Sequence, residues 1–254
     1  MYLIKLGGSV ITDKARPLAF REDVVRRIIS ELDPSSPLII VHGAGSFGHI
    51  YAKKYGISQG FQSREQLEGF ARVQRDVRDL NLRILSILID AGINAVSIPP
   101  FASCLNSDGS LDYLEVAPFE RAMKMGLVPV TFGDAVFDST LGFSICSGDY
   151  LMEALALEFK PDKAVFLSDV DGIYDRNPAE EGAELLELVS SRSSISATSL
   201  RSGVSDVTGG MEGKLRSMIR IAPYSEVWMI NGLVPGRLAN LLNGEDVVGS
   251  KVIP

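Results

Sequence analysis

Cysteine and histidine are scarce in this 254-residue chain, which has two of each: Cys104 and Cys146, His42 and His49. Two cysteines cannot make a disulfide framework and these two lack metal-ligand spacing, so they are expected to be structural thiols in a reducing cytoplasm. No apolar run approaches the roughly 18 residues that would span a bilayer. The opening Met1-Tyr-Leu-Ile-Lys5 also lacks the layout of a secretory signal, so neither a membrane nor export is expected. Basic stripes are missing too. With a formal net charge of -7, nothing in the chain is suited to neutralise a nucleic-acid backbone, and no such partner is expected. What remains is an ordinary globular composition, 46% hydrophobic and 22% charged, sufficient for one large domain or two small ones.

Glycine supplies the first positive signal. The segment Gly43-Ala-Gly-Ser-Phe-Gly-His49 follows the apolar run Pro37-Leu-Ile-Ile-Val-His42, so a buried strand ends in a loop that ends on a histidine. Glycines let backbone amides approach phosphate oxygens, and a helix starting there adds its N-terminal dipole. Gly43, Gly45 and Gly48 match G-x-G-x-x-G, but the acidic residues about 20 positions on, Glu65 and Glu68, fall in a helical stretch rather than at the end of a second strand. The P-loop pattern also fails, because positions 49 and 50 are His and Ile instead of Lys and Ser or Thr.

Apolar, largely β-branched runs recur at 3–6, 38–41, 95–98, 128–132, 164–167 and 227–230. Helical patterns separate most of them. The clearest spans 66–91, with Phe70, Val73, Val77, Leu80, Ile84, Leu88 and Ala91 three to four residues apart. Alternation of this kind predicts an α/β fold: a mainly parallel sheet covered by helices on both faces. Ile84-Leu-Ser-Ile-Leu-Ile89 is apolar nearly all round and is expected to be fully buried, in the core or in a dimer interface. The Ser-rich stretch 190–205 reads as a mobile loop carrying a short helix.

Three further elements carry charge to strand or helix ends. Lys5 interrupts the strand before Gly7-Gly8-Ser9; a lysine in a central strand is costly unless something negative meets it, whereas on an edge strand it would merely sit in water. In Thr208-Gly-Gly-Met-Glu-Gly-Lys214 the glycines would open a helix with Lys214 in its first turn, where the dipole disfavours a cation and an incoming anion would resolve the conflict. Ser168-Asp-Val-Asp-Gly-Ile-Tyr174 follows a strand; Asp171 and Gly172 suit a turn, while Asp169 is placed to brace lysines or reach a metal ion.

Taken in order, these four elements resemble the amino acid kinase superfamily, and Ser46-Phe-Gly-His49 with the early Lys14 is similar to its isopentenyl phosphate kinase branch. The resemblance covers nearly the whole chain. It implies one three-layer αβα domain, with an acceptor half up to about residue 160 and a nucleotide half beyond it. It also implies that Lys5, Gly7, Gly8 and Ser9 hold the phosphates of ATP, with amides from Gly45 and Gly210, and that Tyr174 lies near the nucleotide. Lys5 and Lys214 would flank the transferred phosphoryl group, Asp169 would orient both, and Lys14 would stabilise developing charge. Ala44, His49, Gly148 and Asp149 would bind the acceptor phosphate. The superfamily loop often reads Gly-Gly-Gly, so Ala44 would be mildly strained if its position needs a positive φ.

An apolar pocket beside His49 is expected to come from Phe70, Val73 and Val77, closed by Phe143 and Ile145, although the helical stripe could equally be core. His42, at a strand end, reads as structural. The activity implied is transfer of a phosphoryl group from ATP, with Mg²⁺, to isopentenyl phosphate by a cytoplasmic homodimer. Three alternatives stay open: a phosphonate such as fosfomycin as acceptor, a nucleotide-binding regulator without turnover, and a dinucleotide oxidoreductase.

Overall fold

A run such as Leu38-Ile-Ile-Val-His42 has no polar face, so as a strand it must be covered on both sides. The structure, a computed structural model, describes residues 1–13, 15–190 and 210–254. Its strands are β1 (Tyr2–Leu6), β2 (Leu38–His42), β3 (Ala95–Ser97), β4 (Cys104–Ser107), β5 (Ser110–Leu114), β6 (Val128–Phe132), β7 (Asp134–Asp138), β8 (Gly142–Cys146), β9 (Lys163–Ser168), β10 (Leu188–Val189), β11 (Glu226–Asn231) and β12 (Ser250–Val252). The main sheet has the order β10-β12-β11-β9-β1-β2-β6-β3. Its pairs are parallel except β11 with β12, so β10 and β12 run against the other six.

The helices are α1 (Gly8–Ile11), α2 (Glu22–Ser30), α3 (Gly45–Lys54), α4 (Gln66–Asp90), α5 (Pro100–Ser103), α6 (Ala117–Lys124), α7 (Gly148–Phe159), α8 (Gly210–Ile221) and α9 (Arg237–Leu242). Side-chain alternation along the strands divides the core. Ile4, Leu6, Ile40, Val130, Val165 and Ile230 meet α2, α4 and α9 on one face. Leu3, Ile39, Val41, Phe166 and Met229 meet α7 and α8 on the other. The expected three-layer α/β architecture is therefore present as one domain.

All six expected strands form, with boundaries shifted by at most one residue, and α4 ends one residue before the expected Ala91. Ile84, Ile87 and Leu88 are buried, whereas Ser86 is exposed and Ile89 is 56% exposed, so within one chain the core covers one side of this apolar segment. One expectation needs correction. Lys214 is the fifth residue of α8, just past its first turn. The expected loop at 190–205 lies, but for Ser190, outside the described residues.

Residues 104–146 add a second sheet, β5-β4-β7-β8, that periodicity did not announce. Its strands are short and rich in Ser, Asn and Asp, and β5 has no fully buried residue. A buried carboxylate holds it in place of a thick core. Asp138 accepts hydrogen bonds from the backbone N–H of Asp108 (3.1 Å), Gly109 (2.8 Å), Thr140 (2.9 Å) and Leu141 (2.8 Å) and from Ser144 Oγ (2.8 Å). Burial pushes its pKa up, but those donors outweigh burial and hold it at about 2.

Because the folded pKa lies below the unfolded value of about 4, this contribution is complete at neutral pH and is lost as pH falls through 4 towards 2. Replacement Asp138→Ala strands several donors and should cost about 2–4 kcal/mol, read as a lower urea midpoint by far-UV circular dichroism. An unchanged midpoint would refute this account of the second sheet.

Candidate active site

In the main sheet β1 has β2 on one side and β9 on the other, so the chain leaves β1 in one direction and returns later on its other flank. A topological switch of this kind opens a crevice at the carboxyl ends of the strands. Here the crevice is a cleft lined by the turns after β1, β2, β6 and β8 together with Gly210 and Lys214 of α8.

Lys5 lies at the carboxyl end of the central strand β1, and the edge-strand alternative is excluded. It is 7% exposed and shares the face of Leu3, towards α7. Its ammonium pairs with the buried carboxylate of Asp149 in the first turn of α7 and lies 5.8 Å from the centre of the Phe166 ring. Ser147 caps that helix, accepting from the Asp149 N–H at 3.1 Å. Gly148 leaves room for the lysine stem, since a Cβ there would lie 3.3 Å from Lys5 Cε. The carboxylate that meets Lys5 is thus Asp149. Asp169 accepts from Ser9 Oγ at 2.7 Å.

The two glycine turns touch each other. A Cβ on Gly8 would come within 2.8 Å of Gly45, and one on Gly43 would come within 2.6 Å of the Gly8 nitrogen. Thr12, fully buried, bridges them: its hydroxyl donates to the Gly8 carbonyl (2.7 Å) and accepts from the Ser46 N–H (3.0 Å). The left-handed position is Gly45, at φ +48°, where a side chain would overlap Thr12. Ala44 has φ -73°, so the strain anticipated for it is absent.

His49 occupies the first turns of α3 and lines the cleft with Ala44, Gly48, Val73 and Ile145. Of the other apolar candidates, Val77 is fully buried behind this wall. Phe70 packs at ring distances of 5.0 Å from Phe143, 6.1 Å from Phe101 and 6.3 Å from Phe137. Neither borders the cleft. Asp171 does more than turn the chain: it accepts from Arg237 (2.5 Å) and Asn231 (3.2 Å). Tyr174 bridges to Leu185 and is not among the lining residues. Lys14 and the Thr208-Gly209 part of the last motif lie outside the described residues.

Sequence reading missed two groups on the cleft wall. Cys146 is a buried free thiol whose pKa is raised by its neighbour Cys104 and by burial. Asp134 is 1% exposed and is held by Arg78 Nη2 (3.2 Å) and Gln74 Nε2 (3.2 Å), which ties β7 to α4. Only the Arg–Gln spacing on α4 could have hinted at this, and that pattern is common on solvated helices.

Two buried groups titrate in opposite senses. Desolvation raises the Asp134 pKa to about 6 against the pull of Arg78, so its contribution to stability is complete below pH 4 and is lost as pH rises through 6. Desolvation lowers His42 to about 4, so its contribution is complete above pH 6.5 and is lost as pH falls towards 4. Replacement Asp134→Asn should therefore unmask the His42 slope, and stability should rise more steeply between pH 4 and 6 than in the parent. Urea unfolding at pH 4, 5 and 6 measures this; parallel profiles for parent and variant would contradict it.

Comparison with known proteins follows the same outline as the geometry. Residues 1–228 match the sequence model of the amino acid kinase family. The isopentenyl phosphate kinase of Methanothermobacter thermautotrophicus is 38% identical, over 99% of this chain and 98% of its own length. That of Thermoplasma acidophilum is 35% identical, over 99% of this chain and all of its own length. A solved isopentenyl phosphate kinase structure superposes with a TM-score of 0.85 at 37% identity, covering 99% of both chains. The chain belongs to the amino acid kinase family, among the isopentenyl phosphate kinases.

Proposed function

We propose that this protein transfers the γ-phosphoryl group of ATP to the phosphate of isopentenyl phosphate, giving isopentenyl diphosphate and ADP. The observation that carries the reading is the meeting, in one cleft, of two glycine turns, Lys5 with its Asp149 partner, His49, Gly148 and Lys214. An acceptor phosphate oxygen attacks the γ-phosphorus in line as the bond to the β,γ-bridging oxygen breaks, and the electron pair leaves with ADP. The acceptor is already anionic, so no strong general base is required.

Catalysis is then a matter of holding anions in line and neutralising charge. Lys5, Lys14 and Lys214 supply cations. Gly7, Gly8, Ser9, Gly45 and Gly210 supply donors to the nucleotide, with Tyr174 nearby, and Asp169 orients Ser9 from the strand end. Ala44, His49 and Gly148 take the acceptor phosphate, and Val73 and Ile145 meet its hydrocarbon, an apolar wall that favours an isoprenoid over a small phosphonate. On this reading the groups that meet the acceptor all lie before about residue 160, whereas the nucleotide is held both by the early glycine turns and by residues beyond 160.

Among the described residues no three potential metal-ligating side chains cluster. Mg²⁺ typically keeps waters and phosphate ligands and takes only one or two carboxylates. This fits arrival as the ATP complex with Asp169 to meet it, where it would neutralise the phosphate oxygens. We also infer a homodimer in the cytoplasm: Leu82 and Ile89 stand 62% and 56% exposed one heptad apart on α4, an apolar stripe that a second copy would cover.

Coupled ADP release with ATP and Mg²⁺ should show turnover on isopentenyl phosphate and none on fosfomycin, amino acids or nucleoside monophosphates. His49→Ala should raise the acceptor KM, with kcat/KM lower by about two orders of magnitude if a charge-assisted bond is lost. ATP binding without turnover on any acceptor would instead favour a regulator. Light scattering should give twice the chain mass at micromolar concentration; a clean monomer sinks the dimer.

A further inference from the structure

His42 has no direct part in that chemistry, yet it is fully buried and both of its ring nitrogens are engaged. Nδ1 lies 3.0 Å from the Gly43 carbonyl, which can only accept, so Nδ1 carries the proton. Nε2 then accepts from Asn81 Nδ2 at 3.2 Å, and Asn81 Oδ1 accepts from Ser97 Oγ at 2.7 Å. Every bond points the same way, from β3 across α4 to the glycine loop. The ring stacks on Phe132 at 5.0 Å, which fixes its plane.

The far end of this chain is a peptide of the cleft wall. The Gly43 N–H is held by the Leu6 carbonyl at 2.9 Å. Its carbonyl is held by His42, so both polar groups of Gly43 are fixed. In a trans peptide the carbonyl and the following N–H point to opposite sides. Drawing the Gly43 carbonyl into the protein turns the Ala44 N–H outward, beside Gly133, where both residues line the cleft. A buried polar chain of this kind is costly to maintain unless every member is satisfied, as here, and it then fixes one geometry.

We propose that His42, supported by Asn81 and Ser97, is a positioning residue that locks the Gly43–Ala44 peptide with its N–H aimed at the acceptor phosphate. The inference rests on the kinase reading above, because it needs an anion on the acceptor side of the loop. It predicts a selective defect: loss of the His42 donor weakens the acceptor and spares the nucleotide, whose phosphates are held by the β1 turn.

The test is steady-state kinetics of His42→Phe, which keeps a ring to stack on Phe132, and of Asn81→Leu, which removes the partner that fixes the tautomer. Nitrogen-15 NMR of the parent should show a neutral His42 protonated at Nδ1. Both variants should raise the KM for isopentenyl phosphate by about tenfold or more, the worth of one hydrogen bond to a charged group, with KM for ATP unchanged. Folded variants that keep the acceptor KM, or that lose acceptor and ATP affinity equally, overturn the role even if they melt earlier. Should the parent instead turn over another phosphate-bearing acceptor, the substrate reading fails and the same KM comparison on that acceptor decides the role of His42.

Discussion

The cleft is organised around a lysine that the sheet cannot shed. Lys5 is in a central parallel strand, 7% exposed, at the level where a doubly covered sheet normally ends in apolar side chains. A single charge there would be prohibitively desolvated, and removing one member of a buried pair costs about 3–5 kcal/mol. Asp149 meets that demand. The requirement for a carboxylate at that point fixes the start of α7, its Ser147 cap and the missing side chain at Gly148. The turn after β8 is thereby tied to the central strand from 144 residues away in sequence.

Close approach is the second constraint. Two turns that each present amides to one ligand must come within van der Waals contact of one another, and any Cβ at Gly8 or Gly43 would force them apart. Glycine alone would leave the pair loose. Thr12 supplies the rigidity by bonding to both turns with one hydroxyl, and a Cβ on the left-handed Gly45 would overlap it. Thus the family-typical glycine at position 44 is dispensable here, whereas that at 45 is not.

The interior strands and α4 were legible because a buried parallel strand and a long amphipathic helix write their burial into local periodicity. Lys5 was legible as an anomaly within such a run. The second sheet was not, since strands such as Ser110–Leu114 are half-exposed and gain their stability from backbone donors converging on Asp138 rather than from an apolar stripe. The pairing of Asp149 with Lys5 was hidden for a similar reason: Asp149 follows a strand and lies beside a glycine, much as Asp169 does, and nothing local marks it for contact with β1. Asp134 and Asn81 look in sequence like ordinary polar residues, and only tertiary contact with Arg78 and His42 gives them meaning.

The two histidines show how one loop assigns different chemistry to the same side chain. They lie seven residues apart, on either side of Gly43-Ala-Gly45. His42 faces inward from the last position of β2, where burial drives its pKa down to about 4 and keeps it neutral, with a fixed donor and a fixed acceptor. His49 faces the cleft from the first turns of α3, where the helix dipole and the neighbouring amides raise the potential and favour an anion. A neutral imidazole is the better structural element because a charged ring could not accept from Asn81. A half-buried imidazole on the cleft wall is the better ligand because an anion can reach it. The net charge of -7 therefore does not oppose phosphate binding. What an anion meets in the cleft is set over a few ångströms by two turns, one helix terminus and a lysine already oriented by its carboxylate.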